Sequence, residues 1–315
     1  MKIVSVINYK GGVGKTTITT NLAYELALKN KRVLVLDLDP QTSTTQSLIP
    51  ISPIANYQNY QLQIQNNNIY TIRSYFDECL NKNFNPQLML KLPIINVIHT
   101  SNGFLDFVPS DFNLTYINNL LTIYLSHSFK PIDSIINYLN LYERLKLDLN
   151  AYNMNYDVIL LDCPPNFDII TKMAISASDS YIIPTKMNEM SIVGIQTLIS
   201  HIDTHINEYS QYLNLCGLYY KRPINSINAP ICLGVIANML NIKGIAVENN
   251  IINNLINLGI PLFNIRLREN VSMYGSSIIP LTARKNNYYR SKDTYDEVLK
   301  ELEDLTDEFI IKAGI

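Results

Sequence analysis

The sequence predicts an α/β fold, a doubly wound and mostly parallel sheet with an inserted helical or irregular segment. Three observations predict it. Short apolar runs recur at 2–8 (KIVSVIN), 32–37 (RVLVLD), 156–162 (YDVILLD), 180–184 (SYIIP) and 231–238 (ICLGVIAN). They lack polar alternation, as strands do in sheets covered on both faces. Segments with helical spacing separate them, and a glycine-rich turn (GGVGKTT, 11–17) joins the first strand to the first helix. Repeated β-then-α alternation is the pattern of a parallel sheet with crossover helices.

Taken in order, 2–8 is a buried strand and 16–29 a helix, with Ile18, Leu22 and Leu26 on one side. Residues 32–37 form the second strand, completing a βαβ unit. The regularity then lapses. Asn56–Asn68 holds nine Asn or Gln in thirteen positions and reads as a low-complexity surface stretch. Residues 71–93 read as a helix followed by a loop. Residues 94–98 and 104–108 read as short strands without assigned partners, and 112–126 and 132–150 as helices. The pattern resumes with a strand at 156–162, a helix at 168–177, a strand at 180–184 and a helix at 191–207. A strand at 231–238, a helix around 243–257, a strand at 260–265 and a closing helix at 292–312 follow. The whole chain, 1–315, reads as one domain, with 50–150 as an insertion of unassigned architecture within it.

Composition narrows the function classes. Of 315 residues, 47% are hydrophobic, which is enough for a large core and excludes a disordered chain. The formal net charge is −2, so DNA binding would need a local basic patch in place of bulk charge. Cys79, Cys163, Cys216 and Cys232 form neither a CxxC nor a Cys/His metal spacing, and read as plain buried residues. The opening residues are not a signal peptide, and no apolar window reaches membrane-spanning length. A cytoplasmic location is expected. The chain as read starts on its first strand, so no operator-binding helix-turn-helix is expected ahead of the loop.

The glycine turn carries the chemistry. It fits the phosphate-binding loop pattern if Asn8 or Tyr9 stands in place of the first glycine. Gly11, Gly12 and Gly14, with Val13 between them, let backbone N–H groups curl around an anion without side-chain clash. The following helix points its positive end at the phosphates. Lys15 reaches the β- and γ-phosphates, Thr16 offers its hydroxyl to Mg²⁺, and Thr17 holds an α-phosphate oxygen. A P-loop NTPase follows from strand, loop and helix standing in this order. Lys10, just ahead of the glycines, supplies a second cation where phosphoryl transfer needs charge neutralised.

Two further acidic segments stand where a ligand crevice is expected, at the carboxyl ends of parallel strands. One site is Asp37-Leu38-Asp39-Pro40-Gln41. The other is Val158-Ile159-Leu160-Leu161-Asp162-Cys163-Pro164-Pro165, four apolar residues ending in an acid that can hold a metal, commonly through water.

With these residues quoted, KGGVGKTT resembles the deviant Walker A group, which includes ParA/Soj partition ATPases, MinD and the nitrogenase iron protein. DLDPQ and DCPP resemble the ParA/Soj form. The resemblance covers about 1–48 and 151–315. It implies that Lys10 crosses a dimer interface to the partner's nucleotide, that Asp39 orients the attacking water, and that Asp37 lies near the Mg²⁺ shell. It also implies ATP as the nucleotide and Asn238, at the end of GVIAN, as a base contact. Arg266 and Glu269 match the family's Arg-x-x-Glu segment, while Asn270-Val271 replace its usual Ala-Pro. Arg266, Arg268, Arg284, Lys285 and Arg290 form a late basic cluster that, in ParA-like proteins, holds DNA phosphates. The implied function is DNA partition. ATP closes a homodimer, the dimer binds non-specific DNA at the nucleoid, and a centromere-binding ParB-like adaptor stimulates hydrolysis. A MinD-like membrane cycle is the alternative. It would need a basic amphipathic tail, whereas TYDEVLKELEDLTDEFIIKAGI is mainly acidic, so no membrane partner is expected.

Overall fold

The computed structural model describes residues 1–49, 64, 68–126, 131–220, 229–240, 245–269 and 292–315. The strands are β1 (Lys2–Val6), β2 (Arg32–Asp37), β3 (Ile95–His99), β4 (Phe104–Val108), β5 (Val158–Asp162), β6 (Ser180–Lys186) and β7 (Ile231–Asn238). They form one sheet in the order β3-β4-β2-β5-β1-β6-β7. Every pairing is parallel except that of β3 with β4 at one edge. Among the described residues the helices are α1 (Lys15–Leu28), α2 (Ser43–Leu48), α3 (Ile72–Asn81), α4 (Leu114–Ser126), α5 (Pro131–Asn150), α6 (Ile169–Ala177), α7 (Glu189–Tyr220), α8 (Ile245–Asn257) and α9 (Lys292–Ala313).

The continuous apolar strands are buried on both faces, as their composition predicts. In β1, Ile3 packs into one core with Leu34, Ile159 and Tyr75, while Val4 and Val6 pack into the other with Leu22, Val35 and Phe309. The first core lies under α3 to α8, and the second under α1, α2 and α9.

The segment 50–150 is where the sequence reading was least complete, and the sheet accounts for much of it. β4 runs parallel to β2, with Val35 opposite Phe107, and β3 closes the edge as an antiparallel partner. The irregular stretch after α3 is anchored by a buried ion pair. Arg144 bonds Asp148 on α5 and donates to the carbonyls of Asn85 (2.8 Å) and Leu88 (2.7 Å). Asp148 also accepts from Leu90 N (3.0 Å) and the Tyr75 hydroxyl (2.9 Å). Both charges are thus paired and hydrogen-bonded, which a buried ion pair requires. The Asn/Gln-rich stretch lies almost wholly outside the described residues.

One predicted strand is absent. Residues 260–265 touch β7 through a single bridge, Val235 to Leu262. Beyond it, the amides of Asn264 and Ile265 turn to the Glu308 carboxylate on α9, at 2.8–3.0 Å. The helix therefore takes the Ile265 amide that a sixth parallel ladder would have used. The helix expected at 191–207 instead runs to Tyr220.

Against the P-loop helix α1, α9 brings an acidic cluster. Glu25 is buried, and burial first, then Glu303 and Asp307, push its carboxyl up from its ordinary 4.5 to about 7, against the pull of Lys29. A raised acid contributes stability at low pH that is lost as pH rises through the folded value. Glu25→Gln is therefore expected to stabilise the chain at pH 8 by about 1–3 kcal/mol and to flatten the loss of stability between pH 4.5 and 7. Urea melts at pH 5 and pH 8 check this, and equal stability of the two chains at pH 8 would contradict it.

Candidate nucleotide site

Strand order dictates where the site lies. β1 sits between β5 and β6, and β5 lies between β1 and β2. The carboxyl ends of β1, β2 and β5 are therefore neighbours, and parallel sheets bind ligands at such an edge. Asp37 and Asp162 are register partners across β2 and β5, while Val6 pairs with Asp162 across β1 and β5. The glycine loop leaves β1 at that same edge.

The loop has the backbone its glycines predict. Gly12 (φ 71°) and Gly14 (φ 88°) are left-handed. At Gly14 a Cβ would also lie 2.2 Å from Asn238 Nδ2, so both strain and space exclude a side chain there. Asn238, carried in by β7, donates to the Val13 carbonyl (2.9 Å) and accepts from Met239 N (2.9 Å). Its amide thus braces the loop. Asn8 anchors the other side. Its side chain donates to the Pro184 carbonyl (2.8 Å) and accepts from Lys10 N (3.0 Å), and its own carbonyl accepts from Lys15 Nζ at 3.2 Å. Lys10 itself is exposed, while Gly11 is open on the same surface. Tyr9, between Asn8 and Lys10, bonds His201 on α7.

Lys15 is buried, and burial lowers its pKa against the pull of Asp162 and Asp39. Asp162 is also buried. Its Oδ2 accepts from the hydroxyls of Thr16 (3.0 Å) and Thr44 (2.5 Å), and its Oδ1 from Thr19 (3.3 Å). Burial pushes its carboxyl up to about 6, with Thr44 the largest opposing influence. Asp37, fully buried, is held well above the usual range by burial and by the Asp162 charge. It accepts from the Thr45 amide (2.8 Å), the Thr45 hydroxyl (2.7 Å) and the Asp39 amide (3.1 Å). Asp39 accepts from Gln41 N at 2.9 Å. Burial raises its pKa, and Lys15 partly restores it. Thr17, on the first turn of α1, accepts at its carbonyl from Asn21 (2.7 Å).

These groups suit a magnesium ion. Two buried carboxylates repel one another across adjacent strands, and a Thr hydroxyl stands within hydrogen-bond reach of one of them. Hard oxygen donors of this kind match Mg²⁺, which takes one or two carboxylates and completes its shell with water and phosphate oxygens. Thr16 with Asp37 and Asp162 would hold it. Among the described residues no three His, Cys, Asp or Glu side chains form a metal cage.

The model of the AAA domain family matches residues 1–215. The chain belongs to the AAA domain family. Among curated proteins, this family member is 29% identical to the sporulation initiation inhibitor protein Soj of Bacillus subtilis over 209 residues, 65% of this chain and 68% of Soj. The chromosome partitioning protein ParA of Myxococcus xanthus is 29% identical over 64% of this chain and 58% of its own length. The ParA/Soj resemblance carried by KGGVGKTT, DLDPQ and DCPP therefore holds. Among solved structures, the ParA of pNOB8 bound to nonspecific DNA superposes with a TM-score of 0.55 at 20% identity, over 99% of this chain and 98% of that one. At that identity the likeness shows the fold alone, a mostly parallel sheet covered by helices.

The fold brings Lys15, Thr16, Asp37, Asp39 and Asp162 to one edge, and β7, beyond the matched residues, brings Asn238 to the back of the loop. The late basic residues are not all gathered. Arg266 is exposed and donates to Asn249 Oδ1 (2.9 Å). Arg268 is engaged by α9, with Glu297 and Glu301 each at 2.6 Å, so its charge is already met. Arg284, Lys285 and Arg290 lie outside the described residues. Sequence reasoning missed Thr44, Thr45 and Ser110. Ser110 donates to the Asp39 carbonyl (2.7 Å), and its amide donates to the Thr45 hydroxyl (2.8 Å). The available signal was four consecutive hydroxyl residues, Thr42 to Thr45, directly after DLDPQ. Such a run beside two buried acids has ready donors for both.

Proposed function

We propose that the chain is a Mg²⁺-dependent ATPase of DNA partition. It closes as a homodimer on ATP, binds non-specific DNA in that form, and is reset when a centromere-binding ParB-like adaptor stimulates hydrolysis. The observation that carries the reading is the meeting of Lys15, Thr16, Asp37, Asp39 and Asp162 around a left-handed glycine loop at one sheet edge.

The amides from Gly11 to Lys15 cradle the phosphates at the positive end of α1. Lys15 offsets charge at the transferring phosphoryl group, and Thr16 and Asp162 hold the cation. When bound, Mg²⁺ would polarise the phosphoryl oxygens. Asp39, fixed by Gln41 N, orients the attacking water. Lys10, exposed beside the loop, reaches the nucleotide of the second copy and so ties chemistry to dimerisation. Asn238 would sit beside the base while bracing Val13. Arg266, with Arg284, Lys285 and Arg290, would supply the DNA contacts, and Arg268 would serve by fixing the chain to α9. Two relatives support this reading. ParA of Myxococcus xanthus is a chromosome partitioning protein, and the pNOB8 ParA is bound to nonspecific DNA. Among the described residues, no helix is long and apolar enough to cross a membrane.

A DNA titration with ATP, ADP or no nucleotide, at two salt concentrations, tests the function. Binding is expected with ATP alone, independent of sequence, and falling steeply with salt as each neutralised phosphate adds about 0.9 to the log–log slope. Binding to vesicles in place of DNA, or DNA binding indifferent to ATP, would overturn it.

A further inference from the structure

From the contacts of α2 we infer that Thr44 is a positioning residue for the metal carboxylate Asp162, and that it couples the metal site to the turn carrying Asp39. The inference rests on the Mg²⁺-ATP reading of this site.

Three hydroxyls serve Asp162. Two, Thr16 and Thr19, come from the first turns of α1 and move with the P-loop. The third, Thr44, comes from α2, an element of its own, and makes the shortest contact of the three at 2.5 Å. Thr16 and Thr44 both donate to Oδ2 and together fill its two lone pairs, so Oδ1 is the oxygen left with room for a further donor. Beside its contact with Thr19, Oδ1 would then be the oxygen free to accept from a metal-bound water. Without the Thr44 hydroxyl, the carboxylate could rotate about its own axis.

The next residue extends the link. Thr45 holds Asp37 through both its amide and its hydroxyl, and it accepts from Ser110 N, whose hydroxyl in turn donates to the Asp39 carbonyl. Adjacent residues of α2 thus grip both carboxylates, and a chain of hydrogen bonds continues to the backbone of the water-orienting residue. The turn leading into α2 is itself strained. Thr42 is a β-branched residue in the left-handed region, at φ 56°, and accepts at its hydroxyl from Gln46 (3.0 Å). Strain of this kind persists where surrounding contacts hold it, and here Thr42 N donates to the Asp39 carbonyl (2.9 Å) while the Thr42 carbonyl accepts from Gln46 N (2.9 Å).

Thr44→Val keeps the shape and removes the hydroxyl. The test is ATP affinity measured across a Mg²⁺ titration and again in EDTA. The variant is expected to need roughly 10- to 100-fold more Mg²⁺ for half-maximal ATP affinity, the loss typical when a partner that orients a metal ligand is removed. Its affinity in EDTA should match that of the parent chain, and Thr44→Ser should restore the parent Mg²⁺ midpoint. A merely structural hydroxyl would lower the melting temperature without moving that midpoint. A Thr44→Val midpoint equal to the parent's would overturn the inference alone. A parent chain that shows no Mg²⁺-dependent ATP binding would overturn it together with the function on which it rests. If Thr44→Val does not fold, hydrogen exchange on the parent chain decides. Amides 43–48 should exchange more slowly with Mg²⁺-ATP than with ATP in EDTA, and equal exchange would overturn the coupling.

Discussion

Replacing Asp39 by alanine is expected to leave ATP binding intact and to lower turnover by about 10²- to 10³-fold, so that a long-lived ATP dimer accumulates. The reason is positional. Asp39 lies two residues past the end of β2. Its side chain accepts from Gln41 N, and its backbone carbonyl is fixed by Ser110. The Thr16 and Asp162 oxygens that would hold the cation are on other elements, so binding survives the loss of this one carboxylate. Asp39→Asn, which keeps the shape and the amide contact, should stall in the same way. Single-turnover hydrolysis and size-exclusion chromatography with ATP check this, and normal turnover in both variants would contradict the assignment.

Replacing Lys15 has the largest effect on binding. Its ammonium is buried, donates to the Asn8 carbonyl and faces Asp162 and Asp39. Removing one partner of a buried, hydrogen-bonded charge pair between protein and ligand, here the lysine and the phosphates, costs about 3 kcal/mol or more of binding. That corresponds to at least two orders of magnitude, roughly, in ATP affinity. Lys15→Ala is therefore expected to lose ATP binding and, with it, the nucleotide-dependent dimer. Its thermal melt should show that the nucleotide-free fold remains. Light scattering with and without ATP reads the result, and an ATP dimer as stable as that of the parent chain would contradict it.

How much of this was legible in the residues depended on which interactions make each element. β1, β2, β5 and β7 could be read directly, because strands buried on both faces write themselves as continuous apolar runs. The glycine loop was legible because Gly12 and Gly14 occupy conformations that few other residues adopt. By contrast, α2 (STTQSL) has almost no apolar spacing. It is buried because Thr44 and Thr45 satisfy two carboxylates distant in the chain, and periodicity carries no record of such a contact. β3 and β4 could be seen as strands but not placed, since β4 pairs with β2 across α2, α3 and β3 and a long connection. Residues 260–265 show the opposite failure. Their apolar pattern suits a strand, but Glu308, more than forty residues later, claims their amides. At the site, Asp37, Asp39 and Asp162 were legible from strand ends. Arg268 was read as a phosphate contact because its partners, Glu297 and Glu301, sit on a helix that only folding brings near.

Isothermal titration of the purified chain with ATP, in the presence and absence of Mg²⁺, tests the central claim most directly. A saturable heat approaching one nucleotide per chain, tightened by Mg²⁺, is the predicted result. Absence of any saturable heat with ATP and Mg²⁺, from a chain shown to be folded, would contradict the account.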